Sequence, residues 1–266
     1  MPIAQNWLIL LKFDGTQYHG WQVQPNLPTI EQTIEKALEN LTGGLVKVNG
    51  AGRTDSGVHA LNFTANFMVA TKNLNTPEKW RKAFNAILPN DIVVKCVKSV
   101  PDKFHARHNA IGKRYRYLIY NSPYRPVFLK NHSWWIKKDL DIKLMQDAAN
   151  VLIGVHDFSA FRSVNCTSKN TVKDLSEILI KKNSLNCKYL QIEFEANSFL
   201  QHMVRIITGT LIEVGLGRKE IDSLAKILES GQRRFAGITA PPNGLYSLRV
   251  IYPKGMVEWP IDVIDN

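Results

Sequence analysis

Residues 61–69, Leu61-Asn62-Phe63-Thr64-Ala65-Asn66-Phe67-Met68-Val69, place Leu61, Phe63, Ala65, Phe67 and Val69 in alternation with Asn62, Thr64 and Asn66. A period of two is that of a strand with one buried face. Toward the N-terminus, residues 45–48 form a short apolar strand preceded by the helix-stopping pair Gly43-Gly44. The helix itself opens at Thr29-Ile30-Glu31-Gln32, which fits a capping box, and Ile30, Ile34, Ala37, Leu38 and Leu41 then recur at helical spacing. Residues 7–13 are mostly apolar, closed by Asp14-Gly15, and predict a buried strand. Toward the C-terminus, Thr76-Pro77 opens a second helix through Trp80, Ala83, Phe84 and Ile87, Pro89 ends it, and residues 92–97 form another strand. The order β-α-β-β-α-β is the split βαβ, ferredoxin-like arrangement.

The second half repeats that order. Residues 113–120 predict a strand, 140–152 a helix, 171–180 and 188–196 two strands, and 200–214 a helix followed by Gly215 and Gly217. One inserted helix, 220–228, precedes a last strand at 245–252. The halves share element order but no sequence self-similarity. A length of 266 residues favours two domains, expected at 1–108 and 109–266. The fold class expected is α+β, two ferredoxin-like units with mostly antiparallel sheets meeting at a central cleft.

Hydrophobic residues make up 44% and charged residues 21%, an ordinary globular balance that excludes a disordered chain. The net charge is +11, and it is local: residues 95–138 hold 11 Lys and Arg against one acid, Asp102. A local cationic stretch implies a local polyanionic partner. Three cysteines without a CxxC pair argue against a disulfide scaffold or zinc ribbon and fit a reducing cytosol. The apolar run at residues 7–11 is too short for a signal peptide, and the sequence contains no apolar span of ~18 residues, so a soluble, cytoplasmic protein is expected without membrane association.

The most unusual string is Gly50-Ala51-Gly52-Arg53-Thr54-Asp55-Ser56-Gly57-Val58-His59-Ala60. Its glycines permit tight turns and close approach of a ligand. It contains one carboxylate, flanked by Arg53 and His59, so neither a two-carboxylate glycosidase nor a clustered-acid metal site is suggested. The ending needed for a phosphate-binding P-loop is missing. The same spacing also suits a capped turn with Asp55 salt-bridged to Arg53. In Phe104-His105-Ala106-Arg107-His108 the two histidines are spaced to bind metal, but acidic and thiol partners are lacking nearby, so they read as polar loop residues. Lys113-Arg114-Tyr115-Arg116-Tyr117 puts the tyrosines on one strand face and the arginines on the other. That offers stacking for bases and charge for phosphates, or else a core tyrosine pair with a solvated arginine face. Arg205 lies in the apolar run Met203-Val204-Arg205-Ile206-Ile207 and calls for a carboxylate or phosphate partner. Ala240-Pro241-Pro242-Asn243-Gly244-Leu245-Tyr246 is a rigid turn into the last strand.

Gly52-Arg53-Thr54-Asp55-Ser56-Gly57-Val58-His59 resembles the catalytic motif of the tRNA pseudouridine synthase A family. Six further strings match in the family's order: Asp14-Gly15-Thr16 through Gly20-Trp21-Gln22, Phe104-His105-Ala106-Arg107, Lys113-Arg114-Tyr115-Arg116-Tyr117, Asp157-Phe158 with Phe161-Arg162, Met203-Val204-Arg205, and Ala240-Pro241-Pro242 through Leu245-Tyr246. Together they span residues 14–246. Ser56 and Gln201-His202 depart from the pattern at variable positions.

The resemblance implies a pseudouridine synthase fold and isomerisation of uridine to pseudouridine at positions 38, 39 and 40 of the tRNA anticodon stem-loop, without cofactor or metal. It implies that Asp55 is the essential carboxylate, acting as a nucleophile or as a base toward the sugar. It further implies that Arg205 pairs with Asp55, that Tyr115 stacks on the target base opposite Leu245, and that Arg53 holds the displaced backbone or flipped nucleotide. Lys113, Arg114, Arg116, Arg107 and His59 are the candidate RNA contacts, and a homodimer binding tRNA is expected. A non-catalytic RNA-binding protein is the alternative; it would need the basic strand but not the glycine-framed Asp55. On the charge count, neutralising Lys113 or Arg116 should weaken tRNA binding more than removing charge at Lys181-Lys182.

Overall fold

In the computed structural model, which describes residues 3–183 and 186–264, the elements follow in the order β1 (Gln5–Phe13), α1 (Ile30–Thr42), β2 (Val48–Gly50), β3 (His59–Val69), α2 (Pro77–Ile87), β4 (Ile92–Val100), β5 (Gly112–Asn121), β6 (Trp134–Ile136), α3 (Ile142–Ala149), β7 (Gly154–Asp157), β8 (Val172–Lys182), β9 (Tyr189–Ala196), α4 (Met203–Gly215), α5 (Ser223–Ser230), β10 (Leu245–Ile251) and α6 (Ile261–Ile264). They form two compact units, Met1–Ile111 with Ser247–Asn266, and Gly112–Tyr246. The expected α+β class with mostly antiparallel strands is present.

In the first unit the strands run β4-β1-β3-β10, with β2 also paired to β3. β1 lies antiparallel between β3 and β4, with Ile9 opposite Ala65 on one side and Val97 on the other. Alternate residues of β1 enter two cores. Trp7, Ile9, Leu11 and Phe13 join Phe63 and Phe67, Ile34 and Leu38 of α1, and Trp80 and Phe84 of α2. Leu8 packs instead with Ala51, Phe104, Ala106, Val250 and Tyr252. This two-sided burial is why β1 reads as a mostly apolar run rather than an alternation. The Trp80 ring centroid lies 5.1 Å from Phe67 and 5.7 Å from Phe84, so Trp80→Ala should cost ~3–5 kcal/mol.

The alternation of β3 is as expected, but its polar face is not solvated. Asn62, Thr64 and Asn66 are buried, and each finds partners: Asn62 Nδ2 donates to Leu248 O and Ile264 O, Thr64 Oγ1 shares a 2.7 Å bond with the Tyr252 hydroxyl, and Asn66 bridges Asn6 Oδ1 and Ala106 N. Polar groups tolerate burial when satisfied in this way. The bonds of Asn62 and Thr64 recruit the C-terminal segment. That is the physical reason residues 247–264 pack with the first unit, where the sequence boundary would have left them in the second. Thr29 and Thr76 cap α1 and α2, and Gly43 ends α1 at φ 76°. β2 lies nearer its C-terminal end than residues 45–48, because Val48 is buried opposite Phe67 while Leu45 is exposed.

In the second unit the order is β5-β9-β8-β7, antiparallel, with the short β6 parallel to β5. α4 is buried almost throughout. Gly209 sits so close to the segment 237–240 that a methyl group there would overlap the Ile238 carbonyl. No helix among the described residues is long and apolar enough to cross a membrane.

Candidate active site

The loop carrying Asp55 joins β2 to β3 and is strapped from beneath by residues 14–21. Trp21 N donates to Thr54 O at 3.3 Å, Gly57 N to Tyr18 O at 3.1 Å, and Val58 N to Asp55 O at 3.2 Å. The Ser56 hydroxyl also donates to Tyr18 O. Gly20 has φ 83°, and a side chain there would strike the Thr54 carbonyl, so the position needs glycine on both conformational and steric grounds. The buried Trp21 ring lies 4.4 Å from Phe63 and covers Gly50, leaving no space for a Cβ. Tyr18 fixes the strap from its far end. Its hydroxyl donates to Asp91 Oδ1 at 2.7 Å, and burial, reinforced by Asp91, pushes the phenol well above its ordinary pKa. Asp55 is therefore half-buried on a turn whose backbone is held at several points.

His59, expected to contact RNA, is only 1% exposed and is a structural post instead. Its Nδ1 lies 3.1 Å from Gly15 N, which donates to it, and 3.0 Å from Asp14 Oδ1. The two contacts use opposite protonation states of that nitrogen. Asp14 Oδ1 also accepts from Thr16 N and Oγ1, so the Asp14-Gly15-Thr16 turn closes on itself. Arg53 and Arg107 are exposed and line one cleft of about 200 Å³ in the first unit.

The second unit carries Lys113, Arg114, Tyr115, Arg116, Arg205 and Leu245. Tyr115 is half-buried, with Phe199 edge-on at 5.1 Å. Tyr117 is fully buried and donates to Pro241 O at 2.6 Å; burial drives its pKa up against the opposing charge of Arg205. The same Pro-rich turn is tied to α4: Arg205 Nε donates to Ala240 O at 2.8 Å and Ala240 N to Arg205 O at 3.0 Å. Arg205 is half-buried, so its apolar neighbours in sequence do not enclose it. Leu245 follows this turn and is buried.

Arg114 and Arg116 were expected to face RNA, yet both are engaged by carboxylates. β5 and β9 place Arg114 opposite Glu195 and Arg116 opposite Glu193. Arg114 reaches Glu177 at 2.5 Å, Glu193 at 2.9 Å and Glu195 at 3.3 Å, while Arg116 reaches Glu193 at 2.8 Å. Glu193 is nearly buried, with Lys181 a further 3.6 Å away. Burial alone would raise its pKa, but Arg116, Lys181 and Arg114 together hold it below the ordinary carboxylate value.

Sequence reading missed Glu193 as the centre of this cluster, because it sits alone in the alternation of residues 190–194. Cross-strand pairing of β5 with β9 was the available signal. Gly209 was also missed; a lone glycine inside an apolar helix was its mark.

Comparison with known proteins agrees over nearly the whole chain. The family model described as tRNA pseudouridine synthase matches residues 9–109 and 148–253. A tRNA pseudouridine synthase A from Thermoanaerobacter sp. (strain X514) is 46% identical over 248 residues, covering 93% of this chain and all of the relative. Proteins of the same name from Acetivibrio thermocellus and Pseudoalteromonas atlantica are 44% and 43% identical, covering 93% and 92% of this chain and 100% and 91% of their own. The glycine-framed Asp55 turn thus stands in a chain that belongs to the tRNA pseudouridine synthase family.

Proposed function

We propose that this tRNA pseudouridine synthase acts at positions 38, 39 and 40 of the anticodon stem-loop, with Asp55 as its essential carboxylate. The observation that carries the reading is the Asp55 turn itself, a single carboxylate on a glycine-framed loop fastened by backbone hydrogen bonds to residues 14–21. Rigid placement of one reacting group is what an isomerisation requires, since no second substrate has to be brought in. The N1–C1′ bond of the target uridine breaks, the uracil turns while bound, and a C5–C1′ bond forms; C5 of the uracil loses its proton and N1 gains one, so the net change is an isomerisation. Asp55 acts at the sugar, as nucleophile or as base, and either role needs a carboxylate that an amide cannot replace.

Tyr115 stacks on the target base, Leu245 lines its other face, and Arg205 pairs with Asp55. Half-burial of Tyr115 and Arg205 supports these roles by leaving part of each side chain accessible. Arg53 holds the displaced backbone or the flipped nucleotide, whose extrusion from a stem costs a few kcal/mol. Lys113 and Arg107 contact the RNA backbone. The enzyme works as a cytoplasmic homodimer in which one tRNA touches both subunits; its three cysteines are unpaired, in keeping with a reducing compartment. In the test, Asp55→Asn should abolish pseudouridine formation, mapped chemically on tRNA, while tRNA binding persists. An active Asp55→Asn enzyme would remove the assignment, and modification outside the anticodon arm would remove the site specificity.

A further inference from the structure

The cleft beside Arg53 lies in the first unit, where two loops meet beside Trp21, Glu31 of α1 and the strand β2. Gly52 and Arg53 come from the Asp55 loop, and His105, Arg107 and His108 come from the turn that follows β4. That turn is stiff. Phe104 and Ala106 are buried, Phe104 packs on Tyr252 at 5.5 Å, and the Tyr252 hydroxyl donates to Ala106 O at 2.7 Å. Asn109 closes it, accepting from His105 N at 2.8 Å and donating its own N–H to His105 O at 3.1 Å. Burying residues 104 and 106 leaves Arg107 and His108 exposed, and the His105 and His108 rings lie 4.2 Å apart.

The chemistry of the lining is cationic and donor-rich. Among the described residues, neither the Arg53 nor the Arg107 guanidinium has a carboxylate or hydrogen-bond partner. The one acid on the lining is Glu31, whose Oε2 already accepts from Val23 N at 2.9 Å. His105 Nδ1 accepts from Arg107 N at 3.1 Å, so the neutral ring carries its hydrogen on Nε2. Burial, with His108 and Arg107 adding repulsion, holds His105 below its ordinary pKa and so keeps it in that neutral, Nε2-donating form. At about 200 Å³ the cleft lies below the ~300 Å³ lower end of small-molecule pockets. A whole nucleoside does not suit so small and polar a space, but one phosphodiester does.

We propose that this cleft seats a single phosphodiester of the RNA strand, gripped by Arg53 and Arg107 and bounded by His105 and His108. The inference rests on the tRNA reading above and assigns His105 and His108 a task that reading leaves unfilled. A guanidinium fork donates to both non-bridging oxygens of a phosphate, which makes the seat a register point for the strand next to Asp55.

The test measures binding of a tRNA transcript across a salt series by fluorescence anisotropy, in the Asp55→Asn background so that no turnover intervenes. Arg107→Ala should weaken binding about 10-fold and lower the salt slope by about 0.7–0.9, one phosphate contact. His108→Ala should weaken binding by roughly 3-fold or more, since a lost hydrogen bond to a charged group exceeds a neutral one. Arg81→Ala, which removes an equal charge paired to Glu78 in the same unit, serves as the control. All three side chains are on the surface, and matching thermal melts exclude unfolding. If Arg107→Ala and His108→Ala bind like Arg81→Ala at every salt concentration, the phosphate seat is refuted. Failure of the parent enzyme to form pseudouridine would overturn the proposed reaction and leave this binding result standing.

Discussion

Two arginine-bearing regions of this chain are held in opposite ways. The Arg53 loop is fixed by backbone hydrogen bonds and glycine-enabled contacts, so its cation is not consumed in holding the fold. In β5 the reverse is true: Arg114 and Arg116 anchor a cluster of three glutamates and are themselves the fastening. Only β5 lies within residues 95–138, the stretch that carries most of the formal charge. Formal charge and charge available to a polyanion are therefore different quantities. A cation with a near-buried carboxylate at 2.8 Å must give up that bond before it can serve RNA.

The sharpest way to break the comparison is to attack the first region through its backbone. Gly20→Val introduces a β-branched residue at φ 83°, against the Thr54 carbonyl. Displacing a reacting group by about 1 Å can cost ~100-fold in rate, so single-turnover pseudouridine formation should fall at least that far. Overpacking should also cost ~1–3 kcal/mol in urea unfolding. Activity within tenfold of wild type would mean the strap does not position Asp55.

The second region should fail through charge. Glu193→Ala leaves Arg114, Arg116 and Lys181 clustered without their central carboxylate, and removing one partner of a near-buried pair costs ~3 kcal/mol or more. Urea unfolding of the two proteins checks it. The milder Glu193→Gln sharpens the point through pH. The Glu193 pKa is held below its ordinary value of 4.5, so its stabilisation is complete above that pH and is lost as pH falls through the folded-state value. The difference in Tm between wild type and Glu193→Gln should thus be constant near neutrality and shrink below about pH 4.5. A difference that grows on acidification would reverse the assigned sign.

Much of this architecture was legible because the relevant signals are local. The caps at Thr29 and Thr76, the stop at Gly43 and the period of β3 are set by neighbours a few residues away, and each lies where the pattern places it. The Asp55 turn was found because several glycines around one acid are rare in sequence. What escaped depends on partners distant in sequence. Burial of Asn62, Thr64 and Asn66 follows from Leu248, Tyr252 and Ala106, and the fate of Arg116 follows from Glu193, 77 positions later. The short β6 and β7 lack the length for a period to show. A one-dimensional charge count cannot see a cross-strand pair, which is why Arg114 and Arg116 looked available.

The smallest effect is the most discriminating. On the charge count alone, Arg116 outranks Lys181 as an RNA contact; in the fold both cations belong to the Glu193 cluster. Arg116→Gln should therefore leave the salt slope of tRNA binding within about 0.2 of wild type, whereas Arg53→Ala should lower it by about 0.7–0.9 as one phosphate contact is lost. Both variants should be compared at equal folded fraction, because Arg116→Gln also weakens the cluster. If Arg116→Gln lowers the slope as much as Arg53→Ala does, the glutamates release Arg116 when RNA binds. The contrast between fastened and available arginines would then hold only for the free protein. If the slope stays put, the polyanion is read by Arg53 and its neighbours, and β5 contributes the shape on which Tyr115 is displayed.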